Sequence, residues 1–312
     1  MKKDPTIPKI IEKAKIGFAN PRLFGRLINK IYYTKLCKGV YHDRGINFMD
    51  QDWDNLIIID GCRYDTFDSE SDLPGQLSSV YSKGSMTVEF LHANIAGRSM
   101  LDTVYITANG QFYHNSGSLN ASFYEVENVW SNDEFWDEEH HTVLPESMTK
   151  CGLKASQKYP NKRLILHFIQ PHYPFIDSDI EIDDAFDPNT PGFWMRMMRN
   201  QVDISPSEVR EAYQRNLRIT LPHLRHLLTA LPGKTVITSD HGNMLGEKSS
   251  PIPIREWGHP RGIYTDELTR VPWLEYENGP RKDVTAGAMS HDESQVDSEA
   301  VESHLKHLGY VS

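Results

Sequence analysis

Apolar positions in this chain alternate between short continuous runs and helical spacings. NLIIID (55–60) is a nearly unbroken apolar run closed by Asp60-Gly61, the pattern of a strand covered on both faces. SSVYS (78–82), TVYITAN (103–109), RLILHFI (163–169) and TVITSD (235–240) predict further strands. Between the last two, Ser205-Pro206-Ser207-Glu208 reads as a capping box with proline in the first turn of a helix. Leu217, Leu221, Leu224 and Leu228 line its core face, and Pro222 predicts a kink. Residues 8–18 and 21–33 predict two short helices split at Asn20-Pro21, the second with Phe24, Leu27, Ile28 and Ile31 on one face. A last helix is predicted over 298–308, with Val301, Leu305 and Leu308 inward and Gly309 as its stop. Strands alternating with helices imply an α/β protein with a mainly parallel, helix-covered sheet. The acidic segments 131–140 and 177–187 and the polar stretch 278–298 read as surface insertions.

Composition narrows the class. With 312 residues, 38% hydrophobic and 24% charged, the chain can bury one large α/β core or two small ones. No stretch approaches the ~20 apolar residues that cross a bilayer, and the basic N-terminus is followed by no apolar h-region. Cys37, Cys62 and Cys151 lie far apart without CxxC spacing, against a disulfide framework or zinc knuckle, and the expectation is a cytoplasmic protein. Residues 1–45 carry a net +8, so the rest carries −18 of the overall −10. An acidic body excludes general nucleic-acid binding. The basic end suits either a solvated helical extension or peripheral contact with an anionic membrane on its cytoplasmic face. The expected organisation is a basic helical extension, 1–45, before a catalytic domain, 46–312.

Ligands of open α/β sheets bind beyond the carboxyl ends of the strands. Asp60, the stretch His167–His172, and Asp240-His241 all fall at or just past such ends. Asp60-Gly61 is also good turn chemistry. An acid and an imidazole side by side suit an ion that accepts both oxygen and nitrogen, zinc or manganese ahead of calcium or magnesium. In SKGSMTVEFLHANIAG (82–97), Ser85 and Thr87 precede a predicted helix running from Val88 toward Gly97. Thr87 there is a helix cap or, beside a metal, a nucleophile. His172 in QPHYPF and His259 in WGHPRG are by themselves ordinary surface or structural histidines.

Taken in order, strand–Asp60, DGCRYD, Thr87 before a glycine-ended helix, PHYPF, TSDHGNMLGE and GHP resemble the sulfatase-like branch of the alkaline phosphatase superfamily, over roughly residues 54–275. The resemblance implies a three-layer α/β/α sandwich around a central, mainly parallel mixed sheet. It also implies transfer or hydrolysis of phosphate or sulfate esters. Asp60, Asp240 and His241 match the family's metal ligands, and Thr87 stands where its nucleophile does, in contact with the same metal. His172 and His259 match histidines that hold the ester's non-bridging oxygens, and Arg63 is a further candidate for them, or a partner of Asp65. Cys62 lacks the sequence of a formylglycine site and reads as a small buried hydrophobe. Phe168 stands where a two-zinc site would have a carboxylate. What remains is similar to one-metal, threonine-nucleophile phosphoethanolamine and glycerophosphate transferases. The expected substrate is a small-molecule or glycan phosphate ester, such as a lipid-linked sugar, passing through a phospho-threonine. A sulfatase without formylglycine and a catalytically silent glycan- or phosphate-binding homologue are the alternatives.

Overall fold

The computed structural model describes residues 21–36, 41–178, 180 and 192–288. The expected helices at 8–18 and 298–308, and most of the acidic insertion 177–187, lie outside the described residues. The strands are β1 (Asn55–Asp60), β2 (Gln76–Tyr81), β3 (Ser99–Thr107), β4 (Ser122–Asn128), the short pair β5 (Trp136–Asp137) and β6 (Thr142–Val143), β7 (Arg163–Pro171), β8 (Gly233–Thr238), β9 (Met244–Lys248), β10 (Arg255–Gly258) and β11 (Arg270–Asn278). Seven of them form one sheet in the order β2-β11-β8-β1-β7-β3-β4. β8, β1, β7, β3 and β4 run parallel, while β11 is antiparallel to both β2 and β8. β2 therefore runs in the direction of β8, and its carboxyl end lies on the same edge of the sheet.

β1 is buried at every position because it sits at the centre, with helices covering both faces. The helices that matter here are α1 (Pro21–Ile31), α2 (Tyr64–Glu70), α3 (Thr87–Ile95), α4 (Pro145–Lys158), α5 (Phe193–Met198) and α6 (Pro206–Ala230). Alternate side chains of β1 enter opposite layers. One core joins Ile57, Ile59, Leu164 and Leu166 to Leu217, Leu221, Leu224 and Leu228 of α6, and the other joins Leu56 and Ile58 to Phe90 and Leu91 of α3. This is the three-layer, mainly parallel mixed sheet expected of the resemblance. The Ser205 hydroxyl accepts from Glu208 N–H and the Glu208 carboxylate accepts from Ser205 N–H, so the capping box forms as read. The helix continues through Pro222 to Ala230 as one element.

α1 departs from its apolar pattern. Phe24 and Ile31 remain 46% exposed, whereas Gly25 and Asn29 are buried against the domain. Gly25 permits this approach, because a Cβ there would lie 2.6 Å from Cγ2 of Ile254. Asn29 then bonds Ser249 Oγ and both the carbonyl and the N–H of Ile252. Among the described residues no helix is long and apolar enough to cross a membrane.

Candidate active site

Adjacent strand tips assemble the site. β1 lies between β8 and β7, and a register shift at its end sets Asp60 opposite Pro171, next to His172. Gly61 follows with φ of 66°, a left-handed turn that glycine adopts without strain and that swings the chain away from the tip. β8 ends at Thr238, and Ser239, Asp240 and His241 follow, all fully buried. From β2 the chain enters α3, and the Ser82 hydroxyl donates to the Asp240 carbonyl, tying this crossing to the β8 tip.

Ligand atoms of Asp60, Asp240 and His241 lie within 4.8 Å of one another, the one such group found among the described residues. Each carboxylate is anchored through one oxygen. Asn109 Nδ2 donates to Asp60 Oδ2 at 2.6 Å, and the N–H groups of Gly61 and His241 donate to Asp240 Oδ1 at 3.1 and 2.9 Å. The other oxygens, Asp60 Oδ1 and Asp240 Oδ2, are buried without a hydrogen-bond partner, and each lies 3.4 Å from His241 Nε2. His241 Nδ1 donates to the Gly242 carbonyl at 2.7 Å, so in the neutral ring Nε2 carries a lone pair. Thr87 Oγ1 lies 3.3 Å from that same nitrogen. Two carboxylate oxygens, an imidazole nitrogen and one hydroxyl thus converge, an arrangement that fits a divalent cation.

The electrostatics agree. Burial, and then the neighbouring Asp240, push the Asp60 carboxyl well above its ordinary range. Asp240 stays below its ordinary value despite burial, with the Gly61 N–H among the groups that favour its charged form. His172 is pushed down to about 4 by burial and by His241. His259 is lowered well below its usual value by burial, His241, His172 and Arg26. The three imidazoles of His172, His259 and His241 form a chain, with 4.7 Å between ring centroids at each step. His172 Nε2 and His259 Nδ1 are buried without partners among the described residues.

Two candidates separate cleanly at α3. Met86 is the N-cap and Thr87 the first helical residue, with no side-chain cap bond, so capping does not occupy Thr87. Ser85 is committed elsewhere: its hydroxyl donates toward Glu89 Oε2 and the Pro260 carbonyl and accepts from Gly262 N–H. Arg63 is engaged by protein partners. Its Nε and Nη2 bind Asp65, and its Nη1 binds Glu247 at 2.6 Å and reaches the Asn243 carbonyl at 3.4 Å. The Asp65 partnership anticipated from sequence is present, and Glu247 enlarges it. Cys62 is a fully buried, free thiol, and Phe168 lies in the core.

Sequence reading missed Tyr105, Tyr213 and Asn216, which hold these groups, and placed His167 only at a strand end. Tyr105 OH meets His167 Nδ1 at 2.8 Å, and His167 Nε2 lies 3.9 Å from Asp240 Oδ2. Burial lowers the His167 pKa to about 4, so the ring is neutral. Tyr213 OH donates to the Gly61 carbonyl, and Asn216 Nδ2 reaches the carbonyls of His172 and Pro174. Only the polarity of Asn216 on an otherwise leucine-lined helix face hinted at such a role.

Neither a protein-family model nor a curated protein matches the chain. Solved structures do. Lipooligosaccharide phosphoethanolamine transferase A from Neisseria meningitidis matches at 13% identity and TM-score 0.48, over 75% of this chain and 49% of that one, so this chain spans about half its length. The C-terminal periplasmic domain of the Escherichia coli transferase EcEptC, in complex with Zn, matches at 12% identity and TM-score 0.44, with 75% of each chain covered. A 2-O GAG sulfatase matches at 14% identity and TM-score 0.44, over 83% of this chain and 70% of that one. Likenesses of this size carry no argument about activity. They do correct one expectation. The phosphoethanolamine transferase domains are periplasmic, which overturns the cytoplasmic assignment; three scattered cysteines do not fix a compartment. Neither the packing of α1 nor these likenesses support the expected membrane contact through residues 1–45.

Proposed function

We propose that this chain is a metal-dependent enzyme that transfers or hydrolyses phosphate esters through Thr87. The observation that carries the reading is the convergence of Asp60 Oδ1, Asp240 Oδ2 and Thr87 Oγ1 on His241 Nε2 in a buried cluster. Asp60, Asp240 and His241 would hold one divalent ion, zinc or manganese by the mixture of oxygen and nitrogen ligands. When bound, the ion supplies Lewis-acid charge neutralisation and favours the ionised Thr87 hydroxyl.

Thr87 Oγ1 attacks phosphorus in line, the bond to the leaving alcohol breaks, and that oxygen takes up a proton. A phospho-threonine results, which water or an acceptor alcohol then releases to regenerate the hydroxyl. His172 and His259 flank the cluster with unpartnered ring nitrogens. Arrival of an anionic ester favours their protonated forms, and each then donates to a non-bridging oxygen. Arg63 braces the turn after β1 through Asp65 and Glu247 instead of meeting substrate.

The test loads the full chain with zinc or manganese and screens a phosphomonoester, a phosphodiester and a sulfate ester. Turnover of a phosphate ester with a mass adduct on Thr87 is expected. Turnover of the sulfate ester alone would move the assignment to sulfuryl chemistry, and metal binding without any turnover would favour a silent binding homologue.

A further inference from the structure

His259 reaches the cluster from a hairpin, not from the main sheet. β9 leaves the His241-Gly242 turn and β10 returns antiparallel to it, pairing Trp257 with Leu245 and Gly258 with Met244, and His259 is the next residue. No hydrogen bond to the His259 ring is found among the described residues, and its Nδ1 is buried without a partner. The ring's position therefore depends on the backbone that carries it and on tilted ring contacts with His172 and His241.

That backbone is gripped by α1. The Arg26 guanidinium binds Glu256 Oε1 through Nε at 2.9 Å and through Nη2, and Nη2 also reaches the Trp257 carbonyl at 3.4 Å. The same Glu256 oxygen accepts from Trp257 N–H at 3.1 Å. The Glu256 side chain is fully buried, and Arg26 is its one cationic partner among the described residues. One turn away, Asn29 pins Ser249 and Ile252, on the connection between β9 and β10. Gly25 lets the helix lie against Ile254 between these two grips.

We infer that Arg26 and Glu256 are a positioning pair for His259, making the N-terminal helix part of the catalytic unit instead of an appendage. A carboxylate this deeply buried needs its counter-charge. Without Arg26, relieving it requires β10 to shift or water to enter, and either change moves the residue that follows. The inference rests on the reading of His259 as a substrate contact, so its test includes a readout independent of turnover.

Full-length Arg26→Met, Glu256→Gln and the double variant, with Arg26→Lys as the conservative control, are compared with wild type. The measurements are metal content, thermal midpoint, the rate of diethyl pyrocarbonate modification at His259 by mass spectrometry, and kcat/KM on whichever ester wild type turns over. Arg26→Met is expected to keep its metal, to expose His259 to faster modification, and to lose on the order of tenfold in kcat/KM. Arg26→Lys should recover part of both. If Arg26→Met fails to fold, Arg26→Lys, which keeps the charge but loses the two-nitrogen grip on Glu256, is read in its place, with His259 reactivity above wild type expected. A folded variant with native His259 reactivity overturns the inference whatever its turnover, and so does native turnover. Should wild type act on none of the esters, the modification rate alone decides the positioning role, and the proposed function fails separately.

Discussion

The Thr87 hydroxyl oxygen lies 3.3 Å from Nε2 of His241, although 154 positions separate the two residues in the chain. Because Met86 is the N-cap and Thr87 makes no cap bond, Thr87→Ala should cost less than the ~0.5–2 kcal/mol of a lost cap. Turnover should fall by orders of magnitude, with Thr87→Ser retaining part of it. Paired melting curves and steady-state kinetics check both halves. A fully active Thr87→Ala enzyme would leave water as the nucleophile.

The two carboxylates of the metal cluster should respond differently to substitution. About one equivalent of zinc or manganese should bind per chain, and Asp240→Ala should abolish it. Asp60 has a folded pKa well above 3.8, so the metal-free chain carries a penalty that grows as pH rises from that value. Asp60→Asn removes the penalty while destroying a ligand. In the presence of a chelator near neutral pH, this variant should melt above wild type, the gap closing as pH falls toward 3.8. Calorimetry with and without metal reads the result; a lower melting point without metal would contradict the unpaired-carboxylate picture.

Arg63 should behave as a brace. Arg63→Ala is expected to cost about 1–3 kcal/mol of stability while sparing most turnover, since its partners are Asp65 and Glu247. Glu247 is held below its ordinary 4.5, the Arg63 charge outweighing burial. A depressed carboxylate pKa contributes stability above 4.5 that is lost as pH falls through the lowered folded value. Urea unfolding across acid pH should show that slope in wild type and a weaker one in Arg63→Ala.

Cys62 and Cys151 should resist alkylation in the folded protein. Both are buried and free. Burial pushes the Cys151 thiol up to about 12, with the Glu127 charge adding to it. Burial likewise raises Cys62 well above its usual value, with Asp65 contributing. Iodoacetamide near neutral pH should label neither until denaturant is added, and peptide mass mapping distinguishes them.

Some of this was written in local pattern. The continuous apolar run of NLIIID could be satisfied only at the centre of a covered sheet, and the capping box at Ser205 and Glu208 needs nothing beyond its own four residues. Asp60 and Asp240-His241 were legible as a site because each ends such a run. Their juxtaposition was not, since it depends on β1 lying between β7 and β8.

Tertiary structure alone decided which of several equivalent side chains does what. Ser85 and Thr87 are chemically interchangeable in sequence; the choice fell to Glu89 and Pro260, which take the Ser85 hydroxyl, and to His241, which meets Thr87. Arg63 was ambiguous until Glu247 arrived from 184 positions away. The apolar face of α1 leaves Phe24 and Ile31 exposed, because one glycine and two polar side chains with distant partners set the side that packs. Periodicity records the average burial of an element, whereas a hydrogen bond or ion pair between remote residues leaves no periodic trace in either segment.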